Sequence, residues 1–222
     1  MQAGWTVSTS DKKNKQTNDL MTIKKTLQWA AIILGAGTLP FVCYAIWSVS
    51  YLTGMFDDHH SKQELIDNYN AKAKEIFALK GYIDSVVIAP VSVAIEFDGN
   101  NKLLYFHVVD SGNYDSNWDL KLNSTKVDTL LIKLNWTKET LSTLKAKLDD
   151  ANCISISSGE PCNIGWQRSG MGMYFYNIFN KPILDSLKNT YNDSCQYILF
   201  SEKIVLQYKG GAIGPDCFPD RN

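Results

Sequence analysis

VVIAPVSVAIEFDGNNKLLYFHVV, Val86 to Val109, decides the fold. Two runs rich in β-branched and aromatic residues flank the turn signal DGNN, so the stretch reads as a β-hairpin. Pro90 lacks the N–H that a central ladder needs and marks an edge or a bulge. Upstream, Ser61-Lys62-Gln63-Glu64 has the form of a capping box, in which hydroxyl and carboxylate satisfy free backbone donors at a helix start. Leu65, Ile66, Tyr69, Ala73, Ile76 and Phe77 then recur on one face, with Gly81 as the stop. That face packs on the domain. Pairing with a second copy, as a homo-oligomer, is the alternative use, because Ile66, Tyr69, Ala73 and Ile76 also fit heptad spacing.

Downstream of the hairpin comes a loop rich in Asn, Asp and Ser, followed by VDTLLIKL, which reads as a strand. Thr137 caps a helix with Leu141, Leu144 and Leu148 inward. CISISSGEPC (Cys153 to Cys162) reads as a second hairpin, GMGMYFYNIF (Gly170 to Phe179) follows, and a helix begins at Pro182 with Ile183, Leu184, Leu187 and Tyr191 inward. QYILF and IVLQY close the chain as a last hairpin. Short turns between strands make the sheet mostly antiparallel. The expected class is α+β: one N-terminal transmembrane helix, then an antiparallel sheet with about three helices.

The transmembrane reading rests on LQWAAIILGAGTLPFVCYAIWSVSYL (Leu27 to Leu52), inside a stretch from Lys25 to Asp57 that carries no charge between its ends. As a helix it would reach about 39 Å, more than the roughly 30 Å hydrocarbon layer. A cleaved signal peptide fits poorly, because the segment before the apolar run is too long and the run continues past the Cys43-Tyr44-Ala45 cut. Lys12, Lys13, Lys15, Lys24 and Lys25 precede the span and Asp57 and Asp58 follow it, so the positive-inside rule puts the N-terminus in the cytoplasm. The expected organisation is a cytoplasmic tail at 1–26, a signal anchor at 27–54 in the lipid bilayer, and an extracytoplasmic domain at 55–222.

That compartment bears on the cysteines. Cys43 falls in the span, and Cys153, Cys162, Cys195 and Cys217 are an even set in an oxidising setting. A symmetric hairpin about Ser157 and Ser158 would put Cys153 opposite Cys162, so the expected bridges are Cys153 with Cys162 and Cys195 with Cys217. Other pairings remain open, and a four-cysteine zinc site is disfavoured because neither gap suits a zinc knuckle.

The net charge of -1 over 222 residues supplies no field for nucleic acid. Histidine is confined to His59, His60 and His107, and DDHH (Asp57 to His60) is the sole metal-like cluster, too contiguous to converge on one ion. Nucleophile, P-loop and dinucleotide fingerprints are missing, so no catalytic residue, metal or cofactor is assigned. The candidate binding surface is Arg168, Tyr174 and Tyr176: alternation from Gly172 sets the two tyrosines on one face, and Arg and Tyr favour the energetic centres of interfaces. Gly210, Gly211 and Gly214 read as turns returning Cys217 to Cys195.

RSGMGMY and GGAIGP with the following Cys resemble segments of small single-pass bacterial envelope proteins without an assigned activity. The resemblance implies a bacterial inner-membrane protein with its C-terminal domain in the periplasm. The expected function is non-enzymatic: an anchored binding or scaffold protein for an envelope protein or polymer. The alternative is an anchored envelope hydrolase with an unrecognised site.

Overall fold

The computed structural model describes residues 41–48, 60–211 and 214–219. The chain divides into two compact units, Met1–Met55 and Phe56–Asn222. In the first, residues 41–48 are helical and expose Phe41, Tyr44 and Trp47. The rest of the expected Leu27–Leu52 span, the tail and Asp57 to His59 lie outside the described residues. Among the described residues no helix is long and apolar enough to cross a membrane.

The second unit opens on helix α1 (Lys62–Val86), and its capping box forms as the sequence dictates: Ser61 and Glu64 bond each other's backbone N–H groups. The helix does not stop at Gly81. Leu79 and Ile83 are fully buried on either side of it, and their packing outweighs the roughly 1 kcal/mol that a mid-helix glycine costs. Strands β1 (Ser92–Asp98) and β2 (Lys102–Asp110) form the expected hairpin, with a bulge at Glu96/Phe97.

Two expectations fail next. The Asn- and Asp-rich loop is an edge strand, β3 (Asn113–Lys121), because antiparallel pairing along β2 overrides weak local propensity. VDTLLIKL is not a strand but lies in helix α2 (Thr125–Lys133). Ser124 caps it, and Val127, Leu130 and Leu131 are buried while Ile132 stands exposed, a spacing of three and four rather than two. Helix α3 (Lys138–Asp150), capped by Thr137, buries Leu141, Leu144 and Leu148 as expected.

Strands β4 (Ser155–Ser157), β5 (Cys162–Ser169), β6 (Gly172–Ile178), β7 (Tyr197–Ser201) and β8 (Ile204–Lys209) complete one eight-stranded antiparallel sheet, ordered β3-β2-β1-β4-β5-β6-β8-β7. The expected helix from Pro182 shrinks to α4 (Asp185–Lys188) and a 3-10 turn, Thr190–Asn192. Ile183 is buried but Leu184 and Leu187 stay exposed, so no apolar stripe extends the helix.

The register explains the layers. Asn117, Phe106, Ile95, Ile156, Ile164, Tyr176, Leu206 and Ile198 are lateral neighbours in one row across all eight strands. This mostly apolar row faces the helices, and Leu65, Ile76, Leu79 and Ile83 of α1 join it in the core. One residue along, the row Trp118, Tyr105, Glu96, Ser155, Gly165, Phe175, Gln207 and Tyr197 runs across the opposite face.

The cysteines pair in part. Cys195 and Cys217 are disulfide-bonded, whereas Cys153 and Cys162 are separate buried thiols. The hairpin is not symmetric: Ser155 pairs with Gly165 and Ser157 with Asn163, while a Cys153–Cys162 bridge needs Ser155 opposite Glu160. Cys153 also falls outside β4, its N–H donating to Leu148 O at the end of α3. The glycine turns do fold the C-terminal loop back: a Cβ on Gly214 would lie 2.4 Å from Gly210 O, so backbone meets backbone there.

Candidate functional site on the open face of the sheet

Glu96, in the middle of β1, is 2% exposed, yet its carboxylate lies on the face away from the three main helices. It is held there by Arg168 from β5, whose Nε donates to Oε1 at 2.7 Å and Nη2 to Oε2 at 2.9 Å. Tyr105 is the cross-strand neighbour of Glu96 on β2. Burial pushes the Glu96 pKa above the ordinary carboxylate value and Arg168 pulls part of that back. Tyr105 is pushed up to about 12, by burial and then by the negative charge of Glu96. Gly165 is required beside this pair: a Cβ would stand 2.0 Å from Ser155 Oγ and 2.4 Å from Met173 Cε.

On one side of the pair, β2 and β3 carry a continuous aromatic shelf. Tyr105 stacks on His107 with ring centroids 4.8 Å apart and planes at 2°. Trp118 meets both edge-on, at 5.5 and 4.9 Å, and Tyr114 tilts onto His107 at 5.6 Å. Trp118 and Tyr114 are 60% and 63% exposed. Hydrogen bonds fix the shelf: Trp118 Nε1 donates to Ser116 Oγ, and the Asn117 N–H donates to His107 Nδ1. An Nδ1 that accepts carries no proton, so the Ser116 hydroxyl donates to it as well and the neutral ring keeps its hydrogen on Nε2. Burial lowers the His107 pKa, which favours that neutral form.

On the other side runs an amide relay. Asn163 donates to Asn177, Asn177 to Gln207 at 3.0 Å, and Gln207 to the Tyr197 hydroxyl at 3.1 Å, linking β5, β6, β8 and β7. Satisfied polar networks of this kind rigidify a sheet. Lys209 sits over the Phe175 ring, 5.0 Å from its centroid.

Of the three residues expected to form a binding surface, only Arg168 lies on this face. Tyr174 and Tyr176 are fully buried on the helix side. The alternation along β6 is as expected, but the tyrosines take the core side because their rings fill the space under α1. Their hydroxyls find backbone partners there, Tyr174 donating to His60 O at 2.6 Å and Tyr176 to Leu65 O at 2.8 Å. His60 likewise serves packing: its N–H donates to Ser169 Oγ and its ring lies 4.9 Å from Trp166. Among the described residues no group of His, Cys, Asp and Glu is arranged to hold a metal.

The shelf was readable in principle from Tyr105-x-His107 facing Tyr114-x-Ser116-x-Trp118, two period-2 patterns on strands that pair. The second hides in NYDSNW, which local propensity assigns to a loop. No protein-family description, curated protein or solved structure matches the chain.

Proposed function

We propose that the chain is a membrane-anchored, non-enzymatic binding or scaffold protein of the bacterial envelope. Residues 27–54 anchor it in the inner membrane with the N-terminus cytoplasmic, and the Phe56–Asn222 unit is periplasmic and engages an envelope polymer or protein. One observation carries the reading: a single sheet face combines exposed Trp118 and Tyr114 with a self-neutralised Glu96–Arg168 pair and fixed polar groups. Rigid aromatics set among satisfied polar groups suit recognition, since little side-chain entropy is lost on binding. Glu96 lends the hydrolase alternative no support, because Arg168 takes both of its oxygens.

Photo-crosslinking in cells tests it. A photoreactive residue at Trp118 of the full-length chain should give a discrete adduct, and the same group at Ile132, on the exposed side of α2, should give none. An empty Trp118 lane with folded protein would overturn the reading, as would protease protection of the C-terminal unit in spheroplasts.

A further inference from the structure

We propose that the β2–β3 shelf is a glycan-binding site for an uncharged, pyranose-rich oligosaccharide. The inference rests on the binding reading above and names its ligand class. Tyr114 and Trp118 lie four residues apart on one strand, about 13 Å at a strand's rise, and face the same way. Between them the small Ser116 leaves a saddle floored by His107. Two exposed aromatic walls with a low polar floor match a chain of sugar rings, whose C–H faces are apolar and whose edges carry hydroxyls.

The polar groups at the floor are of the corresponding kind. Ser116 Oγ and the His107 Nε2–H are neutral hydrogen-bonding groups, set by Trp118 and by the Asn117 N–H. Charge points the same way. With His107 neutral, Tyr105, His107, Tyr114, Ser116 and Trp118 carry no formal charge, and the neighbouring Glu96 and Arg168 cancel. Among these residues a polyanion finds no cation and a basic peptide no free carboxylate, and Lys102, beyond Tyr105 on β2, is already paired with Asp98 and Asp119, so the complementary partner is a neutral, hydroxyl-rich one.

The full-length chain, purified in mild detergent, is titrated with uncharged hexose and N-acetylhexosamine oligomers of increasing length. The expected result is saturable binding by isothermal titration calorimetry, which needs no tryptophan reporter, strengthening with oligomer length until the shelf is filled. Trp118→Ala and Tyr114→Ala should each weaken it about ten-fold, with Tm unchanged, and Trp118→Phe should keep most of the affinity. No saturable binding, or binding retained by both alanine variants, overturns the proposal. So does the membrane-surface outcome: vesicles of phosphatidylethanolamine and phosphatidylglycerol causing a blue shift of tryptophan emission that Tyr114→Ala abolishes, without any response to the sugars. A protein adduct at Trp118 without sugar binding sinks the glycan assignment alone; no adduct and no sugar binding sinks the binding reading with it.

Discussion

Arg168 and Glu96 meet across β4: two hydrogen bonds of 2.7 and 2.9 Å join β5 to β1, and Ser155 of the intervening strand pairs with Glu96 and Gly165. The pair therefore clamps three strands on a face where no apolar core does so. Removing Arg168 leaves a carboxylate that is 2% exposed without its cation. Arg168→Ala should cost about 3 kcal/mol in denaturant unfolding at neutral pH, and the double variant with Glu96→Gln should recover much of it. Glu96 has a folded pKa above its unfolded one, so its penalty appears as pH rises through the folded value and vanishes below the unfolded value near 4. The R168A defect should therefore shrink on acidification, and a defect independent of pH would contradict the clamp.

Tyr176 is core, with its hydroxyl on Leu65 O and accepting from Asn68 Nδ2 at 3.0 Å. Tyr176→Phe should lose about 1 kcal/mol of stability. Tyr176→Ala should lose roughly 3–5 kcal/mol. Neither substitution should alter ligand affinity in the protein that remains folded; a selective affinity loss in Y176F would return this residue to a binding surface.

Thiol chemistry separates the four C-terminal cysteines. Cys153 and Cys162 are buried, and burial raises both thiol pKa values, Cys162 to about 12, so neither presents a thiolate. Iodoacetamide should label neither in the native protein and both after unfolding without reductant, while the Cys195–Cys217 peptide pair stays linked. Opening that bridge with Cys195→Ser and Cys217→Ser should lower stability by about 3 kcal/mol, given a sequence separation of 22. A recovered Cys153–Cys162 peptide would overturn the register described for β4 and β5.

Asp193 organises the segment entering β7. Burial pushes its pKa up, but the Tyr197, Cys195 and Gln196 N–H groups donate to its Oδ1 and hold the net value below the ordinary carboxylate. A depressed pKa gives stability that is complete above the unfolded value of about 3.9 and is lost as pH falls through the folded one. Asp193→Ala should therefore lower Tm at pH 6, with the gap closing below about pH 4 as the wild-type carboxylate protonates. A gap that is constant across this range would reject the role.

What could be read in advance follows from how local each signal is. The capping box at Ser61, the Thr137 cap and the DGNN turn are decided within four residues, and all three form. β3 depends on a partner elsewhere in the chain, and NYDSNW carries no propensity that declares it. VDTLLIKL is short enough to satisfy either period, and the deciding contact is Ser124 on the Val127 N–H. For β6, alternation correctly separates Tyr174 and Tyr176 from Met173 and Phe175, but which side meets a helix is a tertiary fact. Arg168 reads as a binding-surface residue, while its partner Glu96 sits 72 residues away and nothing in the sequence links them.

Both outer strands are interrupted. In β3, Asp119 adopts a left-handed φ of 56° and the Leu104–Asp119 pair drops out of the ladder; in β7, the register slips between Leu199 and Ser201. A free strand edge invites neighbouring copies to zip on, and a break in mid-strand denies them a continuous template. Edge-to-edge zipping of crowded copies is thus disfavoured along both outer strands.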